Sequence, residues 1–419
     1  MSDNPAKPID RGDQARAASS QACARARAEM AGRFRDFNTD HMQRDDVLAL
    51  IEEARAVCPV PWSDEKGGHF IFMNHADVRR GLRDWRDFSN EPSTLRPLRA
   101  DSIKVGPSER NPPDSTFYRS LMVAGVNHVA SREAEPLVRA DVVRCLEAMV
   151  AKGGGDLVPE LGNIIPVAAI FHVLGIENGQ QFAYDVSNAM MASTMEGFAE
   201  KFAALADFSW QVIEDRRANP RGDYLSELAQ AKRGDRLLNH EEIATMMVAF
   251  FTAGANTTAA LIVSLLYEVF SRQAIKQQLL DDRSLIPAAV EEALRLHHPF
   301  FGIYRMTTHD IEAEGVQLPA GSSVMMSWQS ANRDPAVFDD PTDFRLDRDF
   351  GKSVGFGYGI HSCIGAPLAR MEVRVVLEEI LARCPDMKLE LDGPPRFEFH
   401  GNDTNSIITM PVSFPVIKT

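Results

Sequence analysis

The chain has 419 residues, of which 44% are apolar, so its core can fill one large domain or two or three small ones. Its net charge of −14 argues against nucleic-acid binding, which requires a basic surface. The five cysteines are odd in number and widely scattered, which does not suit a disulfide framework and predicts a reducing, cytoplasmic location. No N-terminal apolar stretch suits a signal peptide, so we expect none.

The first 35 residues are rich in Ala, Arg and Ser and predict a flexible N-terminal tail that ends in a short helix. Acidic residues in this segment argue against an organelle transit peptide. We expect residues 36–419 to form a single domain. Its first predicted elements are a helix over 47–56 capped by Asp45 or Asp46, a strand over 68–72 and a helix over 75–85.

The middle of the chain predicts further helices. Residues 86–110 show no periodicity, and a long irregular segment inside a domain is usually functional or mobile. A helix follows Pro112 and Pro113, with Asp114 or Ser115 available as its cap. Further helices are predicted over 133–152, 157–174, 180–195 and 196–217. Methionines 190, 191 and 195 gather where the last two meet, either as core filler or as a binding surface.

The longest predicted helix covers residues 239–270. Asn239 can cap it, and Glu241 and Glu242 suit its positive N-terminus. Residues 245–267 carry no charge and are numerous enough to span a bilayer, which leaves a helical membrane protein as an alternative. Polar residues at mid-span favour a helix buried at the centre of a large domain, and we expect no membrane association.

Helical and extended segments alternate after this helix. Glu292 and Arg295 are three residues apart and meet on one helix face. A strand is predicted over 299–305, a hairpin over 316–326, an irregular acidic segment over 333–350, a helix over 368–383 and strands over 394–418 with a turn at 401–405. If the Glu292–Arg295 pair is buried, further partners must complete it, and an arginine of residues 343–348 is the candidate.

Residues 356–365, with the sequence Phe-Gly-Tyr-Gly-Ile-His-Ser-Cys-Ile-Gly, form a glycine-rich loop that leads into a helix. Pro367 is tolerated in the first helical turn. Cys363 therefore precedes a helix N-terminus, where free N–H groups and the helix dipole favour a thiolate. A thiolate is a nucleophile or a metal ligand, but no protease partner or CxxC pair accompanies it. The alternative is a buried structural cysteine in a glycine-rich turn.

The spacing Phe-Gly-x-Gly-x-His-x-Cys-x-Gly resembles the haem-binding loop of the cytochrome P450 superfamily. The resemblance implies a mainly α fold with a minor β region (α+β), a single triangular-prism domain that holds haem b (iron protoporphyrin IX) between the long central helix and the helix after the loop. Cys363 is then the axial iron ligand, with Phe356 packed on its sulfur side. The other implied haem contacts are His361, Arg119 and Arg305 at the propionates, and Gly357, Gly365 and Ala253.

Residues 253–258 of the long helix are similar to the oxygen-activation segment of that family. By resemblance Gly254 lets dioxygen approach the backbone, and Thr257 donates a hydrogen bond during oxygen activation and helps to deliver protons. The family usually has Asp or Glu where this chain has Asn256. An amide cannot relay protons as a carboxylate does. The resemblance also places five residues in a substrate pocket: Phe250, Phe300, Phe301, Ile303 and Thr404.

The resemblance implies a monooxygenase that inserts one oxygen atom of O2 into a mainly hydrophobic small molecule by hydroxylation or oxidative dealkylation. The chain has no flavin or iron–sulfur motif, so electrons must come from separate proteins, a ferredoxin and an NAD(P)H-dependent ferredoxin reductase. Arg370, Arg374 and Arg119 are the candidate docking residues on a monomeric, bacterial-type enzyme. A peroxygenase or reductase independent of ferredoxin, and a non-catalytic haem sensor, remain alternatives.

Overall fold

The computed structural model describes residues 25–39, 42–95, 104–177, 195–400 and 404–415. Helices dominate it. In chain order they are α1 (25–33), α2 (Arg44–Val57), α3 (His75–Arg83), α4 (Asp114–Val126), α5 (His128–Lys152), α6 (Ile164–Leu174), α7 (Met195–Ala218), α8 (Tyr224–Ala229), α9 (His240–Ser271), α10 (Gln273–Asp281), α11 (Ile286–Leu296), α12 (Trp328–Ala331) and α13 (Ala366–Arg383). The segment 180–194, where a further helix and two of the clustered methionines were predicted, lies outside the described residues.

The β structure is small and lies in several short sheets. The strands are β1 (Trp62–Ser63), β2 (His69–Phe72), β3 (Phe88–Ser89), β4 (Gly154–Asp156), β5 (Lys232–Arg233), β6 (Arg236–Leu237), β7 (Gly302–Thr307), β8 (Ile311–Ala313), β9 (Val316–Leu318), β10 (Ser323–Ser327), β11 (Lys388–Leu389), β12 (Phe397–His400), β13 (Thr404–Ile407) and β14 (Pro411–Ser413). Strands β1, β2, β10, β7 and β3 form the largest sheet in that order, and β10 runs parallel to β2 and antiparallel to β7.

Helix α9 is the central element of the helical core. The Asn239 side chain accepts a hydrogen bond from the backbone N–H of Glu242 (2.9 Å), and Glu242 accepts one from the backbone N–H of Asn239 (2.9 Å). This reciprocal capping box confirms the predicted N-terminus. Within the described residues α9 is long and apolar enough to cross a membrane, but 72% of its most apolar window is buried by the rest of the protein. It is therefore placed as a core helix.

Two predicted helix caps are wrong. Gln43 precedes α2 and Pro113 precedes α4, and neither helix start has a capping hydrogen bond from a side chain. Asp45, which was predicted as a cap, instead lies inside the first turn, where its charge suits the helix dipole. Asp114 binds the guanidinium of Arg233 (2.5 Å), which takes the carboxylate away from the helix end.

The end of the N-terminal segment packs on the rest of the protein. Residues 25–33 are helical, and Phe34 and Phe37 are buried at 0% and 2% exposure. Both rings belong to a second hydrophobic cluster that includes Ile71 of β2 and Phe301. Because these aromatic side chains lose their contact with water only by packing on the sheet, residues 25–35 belong to the folded domain.

Candidate active site

The loop before α13 has a backbone that its glycines permit. The N–H of Cys363 donates to the carbonyl of Phe356 (2.7 Å), which closes the loop. Gly357 and Gly359 have φ of +72° and +78°, a region that side chains disfavour. At Gly359 a Cβ would also lie 2.9 Å from the Cα of Arg83, so helix α3 packs directly on the loop.

Cys363 is accessible, whereas Cys58, Cys145 and Cys384 are buried. Protein atoms crowded around the accessible Cys363 side chain displace water and raise the pKa of its thiol, and the N–H groups of Gly365 and Ala366 oppose that shift. The helix N-terminus thus lowers the thiol pKa as predicted, but in the protein alone the loss of water raises it by more. A cation in contact with the sulfur would supply the stabilisation that the thiolate lacks.

Phe356 is fixed beside the cysteine loop. The guanidinium of Arg370 lies 4.3 Å from the centre of its ring. Arg370 is held in turn by two hydrogen bonds to Glu291, at 2.5 and 3.2 Å. The ring therefore has a defined position next to the backbone that carries Cys363, because a cation over an aromatic face favours one orientation.

Three basic side chains gather near the same loop without a carboxylate partner among the described residues. Arg119 donates to the carbonyl of Ser362 (2.7 Å), and Arg305 donates to the carbonyl of Tyr304 (2.9 Å). Burial lowers the pKa of Arg305 to about 9. Burial, and then the charges of Arg305 and Arg119, lower the pKa of His361 to about 3, and its Nε2 is buried without a hydrogen bond. A buried guanidinium, a half-buried one and an unsatisfied ring nitrogen fit an anionic group such as the two haem propionates.

The segment of α9 that resembles the oxygen-activation site is partly accessible. The hydroxyl of Thr257 donates to the carbonyl of Ala253 (2.6 Å), which leaves its lone pairs free to accept a hydrogen bond. Ala253 is exposed in the protein alone. Asn256 is half-buried, and its amide has no hydrogen bond to any described residue.

Gly254 lies where α9 packs closely on α6. A Cβ at this position would lie 2.8 Å from Cδ1 and 3.3 Å from Cγ1 of Ile170 on α6. Those distances are shorter than ordinary carbon contacts, so the glycine lets α6 and α9 approach each other. The structure thus gives Gly254 a packing role, and access of dioxygen to its backbone stays a prediction.

Two of the five predicted pocket residues lie in other parts of the core. Phe301 is fully buried, with its ring 5.5 Å from that of Phe37, so it belongs to the cluster under the N-terminal segment and not to a pocket. Phe250 is buried with its ring 5.9 Å from Tyr224, in the core between helices.

The other three pocket positions have different outcomes. Phe300 and Ile303 are partly buried in a third cluster around β2 and β10, together with Tyr358 of the cysteine loop. Thr404 pairs with His400 in the β12–β13 hairpin, and its side chain lies outside the described residues. Phe300 and Ile303 are therefore the two predicted pocket residues that the structure leaves near the loop.

The predicted pair of Glu292 and Arg295 is fully buried. Arg295 donates from Nε and Nη2 to the two carboxylate oxygens, at 2.7 and 2.8 Å. The prediction that an arginine of residues 343–348 joins the pair is confirmed, because Arg348 donates to Glu292 Oε1 at 2.8 Å. Arg295 also donates to the carbonyl of Asn332 (2.8 Å), and the side chain of Asn332 accepts from the N–H of Val354 (3.0 Å). The pair is thus linked to the start of the cysteine loop.

The comparisons with known proteins agree with this geometry. The cytochrome P450 family model matches residues 166–411. The mycinamicin IV hydroxylase/epoxidase of Micromonospora griseorubida is 30% identical over 88% of this chain and 94% of its own length. The erythromycin C-12 hydroxylase of Saccharopolyspora erythraea is 34% identical over 83% of this chain and 88% of its own length. The chain belongs to the cytochrome P450 family.

Solved structures lead to the same fold. A mutant of P450 EryK in complex with erythromycin B has a TM-score of 0.81 at 30% identity and covers 90% of this chain and 98% of its own. This P450 is therefore an α+β, single-domain haem-thiolate monooxygenase, an oxidoreductase with a haem iron cofactor. It acts on small molecules with O2 and electrons from redox partners.

The arginines predicted for redox-partner docking are engaged within the P450 itself. Arg370 pairs with Glu291, and Arg374 pairs with Glu135 at 2.6 Å. Arg119 is turned towards the cysteine loop through its bond to Ser362. Two of the three charges are neutralised by carboxylates, so they form a weaker docking surface than the sequence predicts.

Proposed function

We propose that this P450 holds haem b with Cys363 as the iron ligand and with Arg119, Arg305 and His361 at the propionates. The observation that carries the proposal is the set of three basic side chains beside the loop of an accessible cysteine, one of them fully buried and none with a carboxylate partner among the described residues. Two carboxylates would satisfy these donors and remove the cost of their burial. When bound, the haem supplies reductive activation of O2 and insertion of one oxygen atom into the substrate.

The residues of α9 handle the proton. Thr257 can pass a proton through its hydroxyl, because that oxygen accepts one hydrogen bond while it donates another. Asn256 can orient water with its amide but cannot release a proton at ordinary pH. Proton delivery in this chain then runs through the Thr257 hydroxyl and ordered water, with Asn256 as the group that holds that water.

The substrate is a mainly hydrophobic small molecule. Phe300 and Ile303 support this, since both side chains are apolar and partly accessible near the cysteine loop. The relatives point the same way by name, as hydroxylases or epoxidases of mycinamicin IV and erythromycin. Hydroxylation, oxidative dealkylation and epoxidation are the reactions to be sought first in a product analysis.

Electrons come from a ferredoxin and an NAD(P)H-dependent reductase, which dock on the face that carries the cysteine loop. Ile360, three residues before Cys363, is 41% exposed and gives that face an apolar contact. Arg132 lies in a groove beside Pro367 and Arg374 and has no carboxylate partner in the described part of the chain. The enzyme works as a monomer in the cytoplasm.

The proposal is tested by turnover under isotopically labelled dioxygen. A panel of apolar compounds is first screened for shifts of the haem Soret band, and each hit is incubated with purified ferredoxin, reductase and NAD(P)H. The expected result is one labelled oxygen atom in the product, with reductant consumed. Product formed from peroxide alone and not from the reconstituted chain would instead identify the peroxygenase, which the missing acid at Asn256 favours. Binding without product under either condition would leave a haem sensor.

A further inference from the structure

Two adjacent histidines at the end of α11 are both buried, at 6% and 4% exposure, and have different partners. His298 lies beside the cysteine loop, where its Nε2 is 2.8 Å from the carbonyl oxygen of Gly355. The centre of its ring lies 4.6 Å from that of Trp328, with the two planes tilted by 32°. Its Nδ1 accepts a hydrogen bond from the N–H of Phe300 (3.0 Å), which leads into strand β7.

The partners define the tautomer of His298. The carbonyl of Gly355 can only accept, so Nε2 carries the proton and donates it. A neutral ring has one N–H, so Nδ1 is then unprotonated and accepts from the N–H of Phe300, with the carbonyl oxygen of the same residue 2.9 Å away. The neutral His298 ring thereby links Gly355, just before the cysteine loop, to Phe300, which leads into the strand that carries Arg305.

The bond to Gly355 acts on a tightly constrained piece of backbone. Gly355 is buried, and a Cβ on it would lie 2.7 Å from Leu294 of α11. The next residue, Phe356, accepts the N–H of Cys363 (2.7 Å). A shift of the Gly355 carbonyl would therefore be transmitted through one residue to the backbone of Cys363, because interiors are close-packed and cannot absorb the movement locally.

We propose that His298 is a positioning residue that holds the Cys363 loop in the geometry that its sulfur needs as an iron ligand. This inference depends on the proposed role of Cys363. Helix α11 then supports the loop in two ways, through Arg295 and Asn332 to Val354, and directly through His298 to Gly355. Without the His298 donor, the Gly355 carbonyl is a buried acceptor with no partner in the described structure.

His297 provides a matched control. It is the same residue type, equally buried and adjacent, but its Nε2 bonds Glu268 (2.5 Å) and its Nδ1 is 2.8 Å from Arg44 Nη2. Its ring is stacked on Phe397 at 5.4 Å. It therefore contacts helices α2 and α9 and strand β12, and neither of these hydrogen bonds reaches the cysteine loop. Loss of His297 should disturb the fold without acting on the sulfur.

The test uses the reduced, carbon monoxide-bound holoenzyme of H298F, H298Q, H297F and the parent protein. The spectrum distinguishes a thiolate ligand from a neutral or displaced one, whereas a measurement of stability alone does not. H298F keeps an aromatic ring against Trp328 but has no hydrogen-bond donor, and H298Q restores a donor. We expect the thiolate band of H298F to be lost about tenfold faster in mild urea than that of the parent, because the buried Gly355 carbonyl has lost its donor.

The control variants should behave differently. H297F should keep the parent rate of band loss even where its unfolding midpoint falls, and H298Q should recover most of the parent rate. Equal rates for H298F and H297F, or a parent rate in H298F, would overturn the positioning role. A parent protein that binds hemin but has no thiolate band would instead contradict the assignment of Cys363. If H298F does not fold, the comparison of H298L with H297L, which both lack a donor, decides by the same rates.

Discussion

The buried carboxylate of Glu292 offers a quantitative test of what holds the haem-side core together. Its two oxygens accept hydrogen bonds from Arg295, Arg348 and the backbone N–H of Arg345, at 2.7 to 2.9 Å. Glu292 and Arg295 have no exposed side-chain surface. The substitution E292Q preserves the shape of the side chain but removes the charge and turns an amide N–H2 towards a guanidinium.

The expected loss of stability follows from burial. Removing one partner of a buried ion pair costs about 3–5 kcal/mol, because the remaining charge stays desolvated. The neighbouring Glu291 provides the comparison, since its carboxylate is 19% exposed and pairs with Arg370, which is 45% exposed. An exposed pair contributes about 0–1 kcal/mol, so E291Q should be nearly neutral. Against a total stability of about 5–15 kcal/mol, the E292Q loss is large.

Urea unfolding followed by tryptophan fluorescence measures both variants, with haem release followed in parallel by Soret absorbance. E292Q should unfold at a clearly lower urea concentration than E291Q, with little change in the slope of the transition. Equal midpoints for the two variants would show that the buried network of Glu292 does not stabilise the fold in the way that its geometry implies.

Three further predictions follow from other contacts. G254A should be destabilised by about 1–3 kcal/mol through overpacking against Ile170, and adding I170V should relieve most of that loss. Additive effects of the two substitutions in a double-mutant cycle would contradict this contact. R305Q should release haem to apomyoglobin several-fold faster than the parent, and an unchanged rate would remove Arg305 from the propionate site. Burial lowers the pKa of His298 from 6.5 to about 4. The stability that its neutral ring contributes should therefore be fully present above pH 6.5 and should fall by up to about 3 kcal/mol as the pH drops towards 4. In H298Q the slope of the unfolding free energy against pH should be smaller, by about the uptake of one proton. An equally steep slope in H298Q would contradict this assignment.

Local features of the site could be predicted from the sequence. The cysteine loop depends on glycines with positive φ and on residues that are neighbours in the chain, so its pattern is visible without a structure. The capping box of α9 is equally local, since Asn239 and Glu242 are three residues apart. The buried pair of Glu292 and Arg295 lies within one helical turn.

What the sequence did not predict depends on contacts between distant segments. Phe301 was placed in the pocket by resemblance, but the packing of Phe37 on its ring decides that it faces the other cluster. The contact between Gly254 and Ile170 was not predicted, because Ile170 belongs to another helix. His298 was not predicted because a buried histidine has no local sequence pattern, and only the fold brings Gly355 to its Nε2.

The carbon monoxide spectrum of the reduced protein tests the central claim most directly, which is that the Cys363 sulfur ligates the haem iron. The parent protein and C384S, which changes a buried cysteine at the end of α13, should both give the band typical of a thiolate ligand. C363S should bind hemin without giving that band. A thiolate band in C363S, or its absence from hemin-loaded parent protein, would contradict the account.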